Sequence, residues 1–307
     1  MIRELVVISG KGGTGKTSLV GSLAHIVNNK VMVDCDVDAA DLHLILKGKK
    51  VTGSSFTGGK IAGILPSKCT SCGICLDYCR FDAIMDPGDD QPFVIDNYAC
   101  EGCGVCAHFC PEQAIEMNDV QSGEWYISET RYGRLVHARL GIAQANSGKL
   151  VSLLRRTARV LAEEKKNDYI IIDGSPGIGC PVIASLTGVD YVLIVTEPSV
   201  SAIHDMERLL ELIEHFGINS GICINKYDIN AKKTSRIEEI AGKRSLKILA
   251  KLPYNPGVTE AQVAGVPYTE YARGEEAEIY YRLWDRLKLD MSRSDRNDKT
   301  TKSIQLG

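Results

Sequence analysis

"ELVVISGKGGTGKTS", residues 4–18, decides the fold of this chain. An apolar, β-branched run passes without a linker into a glycine-rich turn. Behind the turn a helix is expected, from about Lys16 to Asn28. The turn "GKGGTGKT" fits G-x-x-x-x-G-K-[ST] between a strand and a helix, the context that makes this pattern a credible phosphate site. Its glycines permit tight turns, so backbone N–H groups can point at phosphate oxygens, and the helix start adds favourable partial charge. The expected cradle is Gly10, Gly12, Gly13, Thr14, Gly15, Lys16, Thr17 and Ser18. Lys16 would reach the β- and γ-phosphates of ATP or ADP, and the Thr17 hydroxyl would ligate Mg²⁺. Such a loop needs one lysine. This one has two, and Lys11 has no role in phosphate cradling alone.

The same plan repeats along the chain. "KVMVDCD" (30–36), "DYIIIDGSPG" (168–177), "VDYVLIVTEP" (189–198) and "NSGICINKYD" (219–228) are apolar runs that stop at polar or turn residues. Helical stretches such as 151–166 and 201–216 lie between them. Continuous apolar strands alternating with helices imply a parallel sheet covered on both faces. Ligands of such sheets bind at the carboxyl ends of the strands. Asp173 ends one strand, placed like the acid that holds Mg²⁺ in phosphate-loop ATPases. Asn225 to Asp228 end another, placed to read a nucleotide base.

Residues 62–118 break the pattern. They hold eight of the eleven cysteines in an internal duplication. "KCTSCGICLDYCRFDAIM" (68–85) and "ACEGCGVCAHFCPEQAIE" (99–116) align at an offset of 31 residues, all four cysteines matching. Clustered cysteines in a reducing compartment indicate metal rather than disulfides.

The rest of the composition narrows the function classes. Apolar residues are 44% of the 307, enough for a sizeable core, and the net charge is −3. No nucleic-acid footprint is present. Met1 leads directly into a strand-like run, so no signal peptide is expected, and no apolar run approaches a bilayer span. The expected location is cytoplasmic, with no membrane partner. The polar tail is expected to be disordered.

Two resemblances sharpen this reading. "SGKGGTGKT" with "DCDVDAADL" and "DGSPG" resembles the deviant Walker A ATPases, among them MinD, ParA, Mrp and the nitrogenase iron protein. The resemblance implies that Lys11 reaches across a dimer interface to the partner's nucleotide. It implies that Asp36 positions the attacking water, that Asp34 lies near the metal, and that residues 173–177 form a second switch. Lys11, Lys16 and Asp36 are then the expected catalytic residues. A nucleotide-dependent homodimer, or a heterodimer with a paralogue, is the expected assembly.

The duplicated segment resembles a bacterial two-cluster ferredoxin, where the fourth Cys of each run ligates the other cluster. That resemblance assigns Cys69, Cys72, Cys75 and Cys110 to one [4Fe–4S] cluster, and Cys79, Cys100, Cys103 and Cys106 to the second. Zinc is the rival, but two duplicated triplets with a displaced fourth Cys fit iron–sulfur better. Arg80 stands where such runs usually carry proline. Cys35 and Cys223 read as buried filler. Cys180 lies seven residues after Asp173, a spacing similar to that of a cluster-ligating cysteine in the nitrogenase iron protein. Ser147 to Lys149 are candidates for a relay, with helix capping by Asn146 or Ser147 the plainer reading.

The expected architecture is a mostly parallel, doubly wound phosphate-loop sheet (1–61 and 119–288), an inserted small α+β ferredoxin domain (62–118), and the tail (289–307). The leading functional expectation is an ATPase that couples dimer closure to electron transfer to a redox partner. The alternatives are an iron–sulfur or metallocluster assembly factor with its acceptor protein, and a MinD-like positioning ATPase. An amidotransferase-type synthetase would need a glutaminase domain that the sequence lacks.

Overall fold

The computed structural model describes residues 2–88, 91–141 and 147–304. In chain order it begins with β1 (Arg3–Ile8), α1 (Lys16–Ile26), β2 (Lys30–Asp34) and α2 (Leu42–Leu46). The middle comprises β3 (Lys49–Ile64), α3 (Ile74–Tyr78), β4 (Ile84–Met85), β5 (Val94–Ile95), α4 (Val105–Phe109), β6 (Ile115–Thr130) and β7 (Gly133–Leu140). Then follow α5 (Ser147–Lys165), β8 (Tyr169–Asp173), α6 (Cys180–Leu186), β9 (Tyr191–Thr196), α7 (Val200–Phe216), β10 (Ser220–Asn225) and α8 (Ala231–Lys243). The last elements are β11 (Lys247–Leu252), α9 (Gly257–Ala264), α10 (Tyr268–Tyr271) and α11 (Glu275–Ile304).

The chain forms two compact units. The first is Met1–Gly53, Trp125–Arg139 and Gly148–Gly307; the second is Ser54–Glu124 and Leu140–Ser147. The second is thus larger than the duplicated segment and takes in long parts of two strands. β3 and β6 belong to the first unit only over 49–53 and 125–130.

The first unit is built on a sheet of order β11-β10-β9-β1-β8-β2-β7-β6-β3. From β11 to β7 every neighbouring pair is parallel. The α/β expectation with a mostly parallel sheet therefore holds. β6 and β7 are joined through Arg131 and Tyr132 alone, a connection length open only to antiparallel strands. The sequence reading did not anticipate β3 and β6. β3 is rich in Ser, Thr and Gly and largely exposed, so it lacks the apolar run that identifies a central strand.

The core follows the apolar runs. Leu5, Val6, Val7 and Ile8 of β1 are fully buried, as are Leu23 of α1 and Leu283 and Leu287 of α11. A buried charge on β1 lies beside them. Glu4 on β1 is 3% exposed, and its carboxylate accepts from Arg155 (2.5 Å) and Arg159 (2.8 Å) of α5. Arg155 also donates to the carbonyls of Ala184 and Thr187 at the end of α6. A buried carboxylate needs such partners, because removing one leaves an uncompensated charge.

α11 reaches into the polar tail. Its backbone continues as helix to Ile304, through most of the segment expected to be disordered. That stretch contains neither Gly nor Pro, so nothing local breaks the helix. The capping expected of Asn146 and the side chain of Ser147 lie outside the described residues.

The second unit carries the duplication into its backbone. α3 and α4 begin after Gly73 (φ 77°) and Gly104 (φ 76°). Positive φ recurs at the same offset of 31 residues in Ser71 (54°) and Gly102 (63°), and in Asp82 (51°) and Gln113 (50°). Tyr78 and Phe109, the last residues of the two helices, stack face to face with centroids 4.3 Å apart. β4 and β5 pair antiparallel, Ile84 opposite Ile95.

Candidate functional site

The strand ends of the first unit gather the predicted phosphate residues. β1 delivers the glycine loop, and Gly15 (φ 89°) is the N-cap of α1. A Cβ at Gly15 would collide with Nδ2 of Asn225. Gly10 is equally confined, since a Cβ there would fall 2.6 Å from the backbone carbon of Asp205.

Lys16, 5% exposed, turns its ammonium onto acids from two neighbouring strands. Nζ lies 2.5 Å from Oδ1 of Asp173 and 3.4 Å from Oδ2 of Asp36, with the Thr17 hydroxyl also at 3.4 Å. Asp34 and Asp173 are register partners on β2 and β8. Burial works against the Lys16 charge, but Asp173, Asp36 and Asp34 outweigh it and hold the pKa above that of an ordinary lysine. Burial, followed by the charge of Asp173, raises Asp34 well above the usual carboxylate range, and burial raises Asp36.

Two buried oxygens here have no hydrogen-bond partner: Oδ2 of Asp173 and Oγ1 of Thr14. A buried carboxylate oxygen left unpaired is costly. Two acids, Asp173 and Asp36, also share the one ammonium. Both features suit a divalent cation. Among the described residues no three His, Cys, Asp or Glu side chains converge closely enough to hold a metal ion alone. Mg²⁺ typically takes one or two protein carboxylates and completes its shell with water and substrate phosphates, so Thr17 and Asp173 fit that donor set.

Two residues stand differently from the sequence expectation. Asp34 accepts from the N–H of Asp36 and of Leu42, both at 3.1 Å, one on each oxygen. Its carboxylate shapes the loop that carries Asp36 instead of facing outward to a metal. Asn225 donates from Nδ2 to the carbonyl of Thr14 (2.7 Å) and accepts from the N–H of Lys226 (3.0 Å). It therefore braces the phosphate loop, a link invisible in the sequence because it joins residues 211 positions apart. Ser18 accepts from Nε2 of Gln262 at 2.7 Å.

The two switch-like loops are tied together at their bases. Ser175 donates to the carbonyl of Cys35 at 2.6 Å, and Gly177 N–H donates to the carbonyl of Ser9 at 2.9 Å. Cys35 and Cys223 are fully buried; burial pushes the Cys35 thiol up and Cys223 up to about 12, as suits inert filler. Cys180 is exposed at the start of α6.

Lys11 is paired within its own chain. Its ammonium lies 2.9 Å from Oε1 of Glu197, which follows β9. Lys226 lies 2.9 Å from Oε2 of the same carboxylate and donates to the carbonyl of Gly13 at 3.2 Å. Sequence reasoning passed over Glu197 and placed Lys226 only within the expected base-reading segment 225–228. A single polar residue after a strand carries no signal until its through-space partners are known.

In the second unit the eight duplicated cysteines line two cavities. Cys69, Cys72, Cys75 and Cys110 line one, of about 20 Å³, together with Ile64, Phe93 and Pro111. Cys79, Cys100, Cys103 and Cys106 line the other, also of about 20 Å³, with Ile84, Ile95 and Met117. Each cavity takes three cysteines from one repeat and the fourth from the other. Burial raises the thiols of Cys75 and Cys106. Arg80 is exposed.

Fold and site together define a phosphate-loop nucleotide-binding protein of the α/β class. The description "CobQ/CobB/MinD/ParA nucleotide binding domain" matches residues 5–268. The chain belongs to this nucleotide-binding family. An uncharacterized protein of Methanocaldococcus jannaschii is 37% identical over 236 residues, 75% of this chain and 80% of the relative. A second uncharacterized protein of that organism is 26% identical over 276 residues, 87% of this chain and 91% of the relative. Among solved structures, the cell division ATPase MinD of Pyrococcus furiosus matches with a TM-score of 0.56 and 18% identity, covering 94% of this chain and 99% of that one. The septum site-determining protein MinD of Pyrococcus horikoshii, complexed with Mg-ADP, matches with a TM-score of 0.57 and 18% identity, covering 94% and 96%. The fold is thus MinD-like. No helix among the described residues is long and apolar enough to cross a membrane.

Proposed function

We propose that this chain is an ATP-binding and ATP-hydrolysing protein that carries two [4Fe–4S] clusters and couples nucleotide-dependent dimer closure to electron transfer to a partner protein. The observation that carries the iron–sulfur part is the division of eight cysteines between two cavities, three and one from each repeat in crossed fashion. Bound there, the clusters supply one-electron storage and transfer. Cys69, Cys72, Cys75 and Cys110 would hold one, and Cys79, Cys100, Cys103 and Cys106 the other.

At the phosphate loop the chain's residues act by position and charge. Phosphoryl transfer relies on holding the groups in line and stabilising charge on the transferred oxygens. Lys16 would exchange its acids for the β- and γ-phosphates, releasing Asp173 to Mg²⁺ alongside Thr17. Asp36, freed in the same movement, orients the attacking water. Lys11 supplies a further cation to the nucleotide of a second copy, which makes hydrolysis depend on dimer closure. The Mg-ADP complex of the Pyrococcus horikoshii protein supports these ligands.

The test is anaerobic reduction followed by EPR and midpoint-potential measurement with and without Mg-ATP. A nucleotide-dependent shift supports gated electron transfer. No shift, with iron passing to an apo-acceptor, moves the role to cluster assembly. A second reading, a positioning ATPase, is favoured by the MinD folds among the structural neighbours. It predicts ATP-driven dimerisation in protein reconstituted without iron, at the same rate as in iron-loaded protein.

A further inference from the structure

Glu197 stands beside the phosphate loop with one lysine on each oxygen. Lys11 is 2.9 Å from Oε1 and Lys226 is 2.9 Å from Oε2. The carboxylate is 15% exposed, whereas the lysine side chains are 30% and 28% exposed. An acid so close to a phosphate cradle repels the ligand unless cations neutralise it.

The two lysines are not equivalent. Lys226 follows β10 directly and is fixed through its whole length. Its backbone is left-handed (φ 53°), its N–H donates to Oδ1 of Asn225, and its ammonium also donates to the carbonyl of Gly13. A lysine in that backbone region persists only where the surroundings impose it. Lys11 accepts at its carbonyl from the Ser9 hydroxyl (2.9 Å), and its ammonium, whose partner among the described contacts is Glu197, is held through the long side chain alone. If Lys11 left, Glu197 would keep Lys226 and would not become a bare, half-buried charge. Oε1 also accepts from the Ser199 hydroxyl at 3.4 Å, so Glu197 would lose one of three partners, far less costly than losing the only one.

We infer that Glu197 is a latch for Lys11. It holds the Lys11 ammonium on its own protomer and releases it when a second nucleotide-loaded copy presents phosphates, while Lys226 stays behind as the compensating cation. This rests on the dimer reading given above and adds to it a threshold for closure. Lys11 must exchange one anion for another, so closure responds to the partner's phosphates and not to chance encounter of two copies. Glu197 acts through Lys11 and is a positioning residue.

The experiment compares wild-type protein with Glu197→Gln in two measurements. The first uses nucleotide-free protein and follows acetylation of individual lysines by an amine-reactive ester, read by peptide mass spectrometry with exposed Lys60 as internal reference. The Lys11 rate relative to Lys60 should rise about three-fold in the variant, the scale of a partly exposed ion pair. The second is the protein concentration for half-maximal Mg-ATP-dependent dimerisation, which should fall by a similar factor, about three-fold. Glu197→Asp retains charge for Lys226 but shortens the reach, and should shift both measurements the same way if the Gln variant folds poorly. Unchanged Lys11 reactivity, or changed reactivity with an unmoved dimerisation curve, overturns the latch alone. If wild-type protein does not dimerise with Mg-ATP at any concentration, the dimer reading fails and the latch with it.

Discussion

Nζ of Lys16 lies 2.5 Å from Oδ1 of Asp173, while Oδ2 of that carboxylate is buried without a partner. The pair joins the start of α1 to the end of β8, so the phosphate loop and the second switch share one electrostatic centre. The ammonium covers half of a site that suits two cations. Asp173→Asn keeps the shape and removes the charge. The variant should still bind ATP without Mg²⁺, but the gain in affinity on adding Mg²⁺ should drop about ten-fold or more, as expected for loss of a charged contact. Titration of a fluorescent ATP analogue with and without Mg²⁺ measures this.

Lys11→Ala separates binding from turnover. The loop's other contacts remain, so ATP affinity should change little. ATP-dependent dimerisation and hydrolysis should be lost, read by size-exclusion chromatography with light scattering and by phosphate release. Normal turnover would reduce Lys11 to a loop charge paired with Glu197.

What could be read from the sequence followed from how each feature is encoded. β1, β8 and β9 are buried on both faces, so they appear as unbroken apolar runs, and Asp173 stands out as the residue that ends one. The duplication is a pattern of fixed spacings and needs no structure to see. β3 is largely exposed and rich in Ser, Thr and Gly, and β6 mixes apolar and charged residues along a half-buried strand, so no continuous apolar run announces either. Asp34 and Asn225 were visible as residues but not in their bonds, because both are turned inward onto backbone groups. Glu197 gave no signal at all, since its meaning depends on residues 11 and 226.

The crossed cavities make a specific claim about iron. Cys110 lies with the cysteines of the first repeat and Cys79 with those of the second. Cys79→Ser and Cys110→Ser should each lower iron from about eight to about four atoms per chain, each removing a different cluster. Iron analysis with EPR of the reduced variants checks this. Loss of both clusters from either variant would mean one cooperative site.

The edge of the first unit holds a pH-sensitive group that the site does not use. His137 on β7 stacks on His43 of α2 at 5.5 Å and shares a 2.9 Å hydrogen bond with the Ser128 hydroxyl. Tyr126, with Lys50 over its ring, covers the other side. Burial first, then His43 and Lys50, lowers His137 from 6.5 to about 4. The unfolded chain then binds the extra proton between these values, so stability falls as pH drops from about 6.5 to about 4. The loss should be on the order of 3 kcal/mol at the acid end. His137→Gln should flatten that part of the pH–stability curve, measured by urea unfolding at a series of pH values.

The duplicated repeats carry different residues at a shared left-handed position, and the difference is testable. Ser71 and Gly102 occupy equivalent left-handed positions. A Cβ at Gly102 would overlap the carbonyl oxygen of Lys60, a backbone atom that cannot swing aside. Ser71 carries its side chain without such a clash, and its hydroxyl donates to the carbonyl of Gln91 at 2.8 Å. Gly102→Ser, which would make the repeats alike, should therefore combine left-handed strain of about 1–2 kcal/mol with displacement of β3 near Lys60. Ser71→Gly should relieve strain while losing the exposed hydrogen bond to Gln91, for a net change of about 1 kcal/mol. Thermal unfolding of both variants should show a large drop for Gly102→Ser and little for Ser71→Gly. Limited proteolysis should place the loss in the second unit. Equal effects from the two substitutions would mean that the approach of Lys60 to Gly102 does not constrain the fold.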